Sequence, residues 1–196
     1  MEAVPYKEIL SATAIALTFA AFVPYIRAIL GGTTKPHLFS WIIWSITTFV
    51  IFLAQLEANG GVGAWPIGVS AVITMLIALL AYVERSDITI TKTDRLFLVF
   101  ALSALPLWYF TSDPLWTVVI LTAVDVFGFG PTFRKAYADP YSEPLLFYYL
   151  FSIRDLLVIV ALENRSVITV LFPTAMATSC LFLIAMMTLR RRVLAT

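Results

Sequence analysis

Three charged side chains stand inside long apolar stretches of the sequence. Asp125 lies within VVILTAVDVFGFG, and Arg154 and Asp155 follow one another within LLFYYLFSIRDLLVIVAL. A charge in the interior of a bilayer is costly, and it normally faces a partner or a water-filled cavity. Substrate binding, proton coupling and a structural ion pair are all compatible with this placement.

The spacing of these three residues predicts how they pair. Adjacent residues on a helix point about 100° apart, so Arg154 and Asp155 are expected to pair poorly with each other. One geometry joins Arg154 to Asp125 on a neighbouring helix and leaves Asp155 facing a pathway or a further donor. In the other geometry, Asp125 faces the pathway by itself.

Aromatic and polar side chains share one helical face in each of two apolar segments. SWIIWSITT places four of them at i, i+3, i+4 and i+7: Trp41, Trp44, Ser45 and Thr48. YYLFSIRD places three of them at i, i+4 and i+7: Tyr148, Ser152 and Asp155. Both spacings are those of a single helix face, and two such faces can line one cavity. Flat rings suit a sugar or a nucleobase, while hydroxyls orient its polar edge. The alternative for Trp41 is a position at the membrane interface.

The composition places these segments in a membrane. The 196-residue chain is 61% hydrophobic and 13% charged, with a mean hydropathy of +0.93. Soluble domains are about 45–50% apolar and about 25% charged, so we expect an integral membrane protein with the lipid bilayer around it. The net charge of +1 carries no information about nucleic acid, and no basic tract precedes the C-terminus, so no nucleic-acid partner is expected. The single cysteine, Cys180, excludes an intrachain disulfide and a cysteine-based zinc site, and no motif indicates a cofactor or a metal.

Seven apolar segments are interpreted as membrane spans, at about 20 residues per crossing. They cover roughly residues 9–30, 38–56, 62–83, 96–110, 114–133, 145–162 and 167–189, and the fourth is short. All are expected to be helices, because a helix satisfies its own backbone hydrogen bonds in lipid. The opening MEAVPYKEIL lacks the basic start of a signal peptide, so the first segment is interpreted as a retained span.

Lysines and arginines predict the orientation. If the chain crosses the membrane seven times, ten of its 13 lysines and arginines lie on the same side as the C-terminus: Arg27, Lys35, Arg85, Lys92, Arg95, Arg134, Lys135, Arg190, Arg191 and Arg192. Only Lys7 and Arg165 lie on the opposite side, and Arg154 lies within a span. Basic residues favour the cytoplasmic side. The N-terminus is therefore expected outside and the C-terminus in the cytoplasm, in a plasma or bacterial inner membrane.

Two stretches about a hundred residues apart repeat one another. FVPYIRAIL and FGPTFRKAY both begin Phe-x-Pro, with an arginine three residues after the proline. Four pairs differ by 107 positions: Pro24 and Pro131, Arg27 and Arg134, Thr18 and Asp125, Pro66 and Pro173. Spans one to three therefore match spans five to seven. The predicted fold is all-α, with two parallel three-helix bundles at 1–86 and 113–196, joined by a linker helix at 87–112. A pseudo-twofold axis along the membrane normal relates such bundles.

This three-plus-one-plus-three layout resembles the SWEET sugar transporters and the wider PQ-loop superfamily. It is also similar to the layout of the PnuC vitamin transporters and the KDEL receptors, and the resemblance covers nearly the whole chain. The Pro-Gln pair of the superfamily corresponds here to Pro24-Tyr25 and Pro131-Thr132. The proline is kept and the glutamine is absent in both repeats, which is typical of a divergent branch. The stretch KPHLFSW also resembles a group of bacterial membrane proteins.

Four prolines occupy matching levels of the two repeats: Pro24, Pro131, Pro66 and Pro173. A proline inside a helix removes one backbone hydrogen bond and kinks the chain. In the transporters that the chain resembles, such kinks help the bundles rock, which implies hinge roles for these prolines. The alternative is a proline that is simply tolerated, above all in the first turn of a helix.

Together these features predict a small-solute transporter or facilitator that works by alternating access, with a sugar, nucleoside or vitamin as substrate. The predicted binding residues are Trp41, Trp44, Thr48, Asp125, Tyr148, Ser152, Arg154 and Asp155. The alternative is a receptor or accessory membrane protein of the same fold, which binds a ligand without moving it. An enzyme is not expected, because the single histidine, His37, lies in a loop and no zinc or Ser-His motif is present. Homodimers and homotrimers are both compatible with the sequence.

Overall fold

The chain is helical throughout the residues that the computed structural model describes, which are 5–33, 36, 38–84, 92–141 and 143–194. Eight α-helices follow one another: α1 (Tyr6–Leu30), α2 (Leu38–Glu57), α3 (Trp65–Val83), α4 (Lys92–Thr111), α5 (Pro114–Gly128), α6 (Gly130–Ala138), α7 (Leu145–Ala161) and α8 (Val167–Leu194). A short 3₁₀ turn, Gly61–Ala64, precedes α3. No strand occurs in these ranges, and the prediction of an all-α chain is confirmed.

Large apolar side chains point outward from the helices. Val72, Leu79 and Phe182 are 67%, 57% and 63% exposed, whereas the charged pair Arg154 and Asp155 is buried. Lipid accepts apolar side chains on the outer surface and disfavours charged ones. This distribution is therefore the one that a bilayer requires.

Four helical segments are long and apolar enough to cross a membrane: Tyr6–Leu30, Leu38–Glu57, Gly61–Val83 and Val167–Leu194. Two more apolar segments, Leu98–Thr111 and Pro114–Gly128, are shorter. α7 has 17 residues, among them Arg154 and Asp155. Several helices thus favour membrane insertion, while seven crossings of full length are not seen in the described residues.

The fifth predicted span is divided into two helices. α5 ends at Gly128 and α6 begins at Gly130, with Phe129 in a turn between them. Pro131 explains the break, because it has no N–H to donate to the carbonyl four residues earlier. The N–H of Phe129 bonds instead to the carbonyl of Val126 at 3.1 Å, which is the tighter 3₁₀ spacing. The prediction of one continuous span is wrong at this point.

Two helices each lie between two others. α3 packs against both α1 and α2, and α8 packs against both α5 and α7. The two groups meet where α1 packs against α7 and where α2 packs against α5. α4 lies along α5 and α2, and α6 lies along α8. This packing creates a seam between α1–α3 and α5–α8.

At one end of the seam, two connecting loops are bound to each other. They are residues 58–64, between α2 and α3, and residues 162–166, between α7 and α8. Three hydrogen bonds join them: Glu163 N–H to the Gly60 carbonyl at 3.0 Å, Asn164 Nδ2 to the Ala58 carbonyl at 2.8 Å, and Val62 N–H to Glu163 Oε1 at 3.3 Å. We call these two loops the loop seal.

Two glycines allow the loops of the seal to approach so closely. A Cβ on Gly63 would run into the backbone of Leu162, and a Cβ on Gly61 would meet the carboxyl group of Glu163. Gly61 also has a φ of 63°, a left-handed conformation that glycine adopts readily. The seal therefore depends on the absence of side chains at these positions.

The four prolines lie at different places in their helices. Pro24 is inside α1, Pro173 is inside α8, Pro66 is in the first turn of α3, and Pro131 is the second residue of α6. Pro66 and Pro131 thus occupy positions where a proline fits a helix without losing an internal hydrogen bond. Several residues used in the sequence analysis lie outside the described part of the chain: Lys35, His37 and Arg85, and the side chains of Pro131, Arg134 and Lys135.

Candidate binding site

A cavity of about 150 Å³ lies in the seam, where side chains of α1, α2, α3, α5, α7 and α8 meet. An engineered cavity of about this volume in another protein holds benzene. The cavity therefore accommodates a solute of single-ring size.

Six of the eight predicted binding residues line the cavity: Trp41, Trp44, Thr48, Asp125, Arg154 and Asp155. Tyr148 and Ser152 are buried but do not line it. The Tyr148 hydroxyl donates to Glu143 Oε2 at 3.0 Å, and Ser152 Oγ donates to the Tyr148 carbonyl at 2.8 Å. These two side chains thus have partners within or next to their own helix.

Arg154 and Asp155 form an ion pair with each other, between Nη1 and Oδ1. A second guanidinium nitrogen, Nη2, donates to Ser70 Oγ on α3 at 2.5 Å. The prediction that these neighbours pair poorly is wrong, and of the two geometries considered, the one that joins Arg154 to Asp125 is not the one seen. Helical spacing gives the direction of each Cβ, whereas the long arginine side chain turns back toward its own helix. Their side chains are only 3% and 0% exposed, so an unpaired charge here would be strongly destabilising.

Asp125 on α5 is held by α2. Its Oδ1 accepts a hydrogen bond from Thr47 Oγ1 at 3.0 Å, and the residue is 4% exposed. This contact joins α5 to α2 across the seam. Thr18, which stands 107 positions before Asp125, donates to the carbonyl of Ala14 in its own helix at 2.9 Å. At these two positions, which the predicted repeat relates, Asp125 therefore bonds to another helix, whereas Thr18 bonds within its own helix.

Two polar atoms of the buried ion pair have no hydrogen-bond partner among the described residues. They are Arg154 Nε and Asp155 Oδ2. Most buried polar atoms in proteins are paired, and an unsatisfied one costs about 1–3 kcal/mol. Both residues line the cavity, but these two atoms are themselves buried and do not face it.

Phenylalanines form the wall beside these polar groups. Phe147 and Phe151 of α7 stack at a centroid distance of 4.6 Å, and Phe22 of α1 meets Phe151 edge-on at 5.3 Å. The Arg154 guanidinium lies 4.9 Å from the centre of the Phe151 ring. These rings are not among the predicted binding residues, because phenylalanine in a membrane segment is equally suited to face lipid. The signal that was present is the shared Phe-x-Pro of the repeat, which contains Phe22 and Phe129.

Some lining residues are separated by the spacing of the predicted repeat. Three pairs differ by 107 positions: Phe22 and Phe129, Trp44 and Phe151, Thr48 and Asp155. Each pair places one residue on either side of the seam. The two groups of helices thus both contribute side chains to one cavity.

No family model, curated protein or solved structure matches this chain. Within the ranges that the structure describes, no group of three His, Cys, Asp or Glu side chains is placed to hold a metal ion. The cavity offers two carboxyl groups, one guanidinium, hydroxyls and aromatic rings. The accessible lining is nevertheless mostly apolar, because these charged side chains are themselves almost fully buried.

Proposed function

We propose that the protein is a small-solute transporter that works by alternating access between two three-helix units. The observation that carries this proposal is the cavity in the seam, which is lined by residues of both helix groups. In transporters built from repeats, the substrate site lies at the repeat interface, and one repeat rocks against the other. A cavity in the seam has the position that such a mechanism needs.

In this proposal the first unit is α1–α3, α4 is the linker, and α5 with α6, α7 and α8 form the second unit. The helix contacts support this division. α3 is central in its group as α8 is in its own, and the contact of α1 with α7 corresponds to that of α5 with α2. α5 and α6 together then form one broken crossing. This layout is the one that resembles the SWEET and PQ-loop transporters.

The loop seal holds the two units together at one end in this conformation. The distribution of basic residues assigns that end to the outside and the C-terminus to the cytoplasm of a plasma or bacterial inner membrane. Pro24 and Pro131 are the proposed hinges. Rocking then means that the seal parts while the opposite end closes.

A ligand-binding receptor or accessory membrane protein is the second candidate. The loop seal favours it, because three hydrogen bonds and the close glycine contacts must break before the seam opens there. A protein of this kind binds its ligand in a cavity that never opens to both sides. It shows binding without flux.

The single cysteine separates the two candidates before any substrate is known. Cys180 lines the cavity and is 2% exposed. In sealed vesicles of either orientation, a membrane-impermeant methanethiosulfonate should modify Cys180 from both sides if access alternates. Modification from one side only, or from neither, contradicts rocking. The Cys180→Ala variant, which has no thiol, serves as the negative control for labelling.

A substrate search follows from the same site. A solute that binds only the folded protein raises its melting temperature. Each solute that does so is then tested for uptake into proteoliposomes. Uptake supports the transporter, and repeated binding without uptake supports the receptor.

A further inference from the structure

The charged side chains around the cavity are engaged by protein groups and do not offer themselves to a ligand. Arg154 pairs with Asp155 and donates through Nη2 to Ser70 Oγ at 2.5 Å. Asp125 Oδ1 accepts from the Thr47 hydroxyl at 3.0 Å. The two atoms of the ion pair that have no partner are themselves buried. A charged ligand would lose its hydration and find these groups already engaged, which makes its entry costly.

Aromatic rings supply much of the remaining wall. Phe147 and Phe151 of α7 stack at a centroid distance of 4.6 Å, with 28° between their planes. Trp41 and Trp44 of α2 meet edge-on at 5.1 Å and 89°. Phe22 of α1 lines the same cavity. Aromatic pairs prefer offset-stacked and edge-to-face arrangements, so a further ring among these side chains can make both kinds of contact.

The volume of the cavity limits the ligand to about one ring. An engineered apolar cavity of about 150 Å³ in another protein holds benzene, and this cavity has about the same volume. Met176 and Cys180 of α8 complete the wall with sulfur-containing side chains, and the sulfur of methionine makes favourable contacts with aromatic rings. A sugar would bury several hydroxyls without partners in such surroundings, and each unpaired polar group is costly.

We infer that the cavity binds a neutral compound with a single aromatic ring, held by ring-to-ring contacts. The inference rests on the proposed function in taking the cavity as the solute site, and it names the class of solute. Transport itself is not assumed, because the test measures binding. A lipid acyl chain, which is also apolar, is the competing occupant.

Fluorobenzene is the probe, because it is a neutral single ring whose ¹⁹F resonance reports its surroundings. With the full chain in detergent, the bound probe should give a resonance displaced from that in protein-free micelles. Three competitors, held at equal concentration in the micelles, then separate the features. Toluene should displace the probe about threefold or more better than methylcyclohexane, which lacks the aromatic ring. It should also do so about tenfold or more better than benzoate, which adds a charge.

Each other result overturns the inference. Equal displacement by toluene and methylcyclohexane shows a general apolar site, which an acyl chain would fill equally well. Stronger displacement by benzoate shows a site for charge. The absence of a displaced fluorobenzene resonance shows that no ring is bound.

Cys180→Leu tests whether the displaced resonance comes from this cavity. The variant adds volume at a lining position, so the displaced resonance should disappear or weaken at least about tenfold. Thr178→Leu is the matched control on the same helix, because Thr178 is exposed and donates to the Thr174 carbonyl at 2.7 Å. An unchanged resonance in folded Cys180→Leu, or an equal loss in the control, contradicts binding in the cavity.

Phe151→Leu covers the case in which Cys180→Leu does not fold. It removes one ring from the wall and keeps an apolar side chain at the same place. The advantage of toluene over methylcyclohexane should fall about twofold or more, while its advantage over benzoate stays. An unchanged advantage over methylcyclohexane overturns the ring-to-ring contacts.

Binding and transport fail in different ways. A chain that binds fluorobenzene, and whose Cys180 is modified from one side only, keeps this inference and contradicts the transporter. A chain whose Cys180 is modified from both sides, and which gives no displaced resonance, keeps the transporter and contradicts this inference.

Discussion

At the scale of single residues, the buried ion pair is the feature with the clearest energetic consequence. Arg154→Met alone leaves the Asp155 carboxylate without its charged partner, and Ser70 loses the Nη2 contact. Removing one member of a buried pair costs about 3–5 kcal/mol, whereas removing both costs far less. We therefore expect the variant with both Arg154→Met and Asp155→Asn to be more stable than Arg154→Met alone.

The measurement is the midpoint of thermal unfolding in one detergent, for the two single variants and the double variant. If the two residues are coupled, the unfolding midpoint of the double variant falls by less than the sum of the decreases in the two single variants. Strictly additive losses would contradict a mutual dependence. Thr13→Val serves as the control, since Thr13 is exposed and bonds only to the Ile9 carbonyl.

The types of residue in the sequence predicted which side chains line the cavity better than helical spacing predicted which way those side chains point. Asp125, Arg154 and Asp155 stood out because charges inside apolar segments are rare. The pairing was missed because spacing does not record how far an arginine side chain reaches. On α7 the predicted face contained Tyr148, whereas Phe147 lines the cavity. The run LLFYYLF is apolar or aromatic on all sides, so its periodicity does not fix which face is turned inward.

At the scale of elements, the loop seal makes a prediction about one glycine. Gly63→Ala adds a Cβ where the Leu162 backbone already lies, so the two loops must move apart. We expect a lower unfolding midpoint and faster modification of Cys180 from the sealed side. Thr13→Val is the control, because Thr13 is exposed and bonds to the Ile9 carbonyl in its own helix, away from the loop seal and the proposed hinges. Unchanged labelling in Gly63→Ala, or an equal change in the control, would argue against the seal as a gate.

The long elements were predictable because apolar length is a strong signal. The segments of α1, α2, α3 and α8 are both long and apolar, and all four are capable of crossing a membrane. The break at Phe129 was missed, although Pro131 and the flanking glycines indicated it. α7 falls short because its charges and its length of 17 residues weaken the apolar signal. Its place in the fold is set by packing against α1 and α8.

At the scale of the whole molecule, the two groups of helices contact each other unequally. One side of the seam is an aromatic contact, in which Phe22 of α1 meets Phe147 and Phe151 of α7 at 6.2 and 5.3 Å. The other side is polar, with Thr47 of α2 on Asp125 of α5. Sequence spacing predicts that positions on the two sides of the seam correspond. It did not give this inequality, which arises because Asp125 faces a threonine and not a basic residue.

The hinge role of Pro24 is the prediction that concerns the motion of the entire molecule. Pro24 interrupts the hydrogen bonds of α1 two residues after Phe22, which lies on the seam. Pro24→Ala supplies an N–H that can bond to the Ala20 carbonyl, so α1 becomes stiffer at this point. If rocking bends α1 here, Cys180 should be modified from one side at the normal rate and from the other side at least about tenfold more slowly. Pro106→Ala is the matched control, since Pro106 lies inside α4 on an exposed face. Equal labelling from both sides in Pro24→Ala would show that the units move without this hinge, and the kink would then be a fixed feature of the packing.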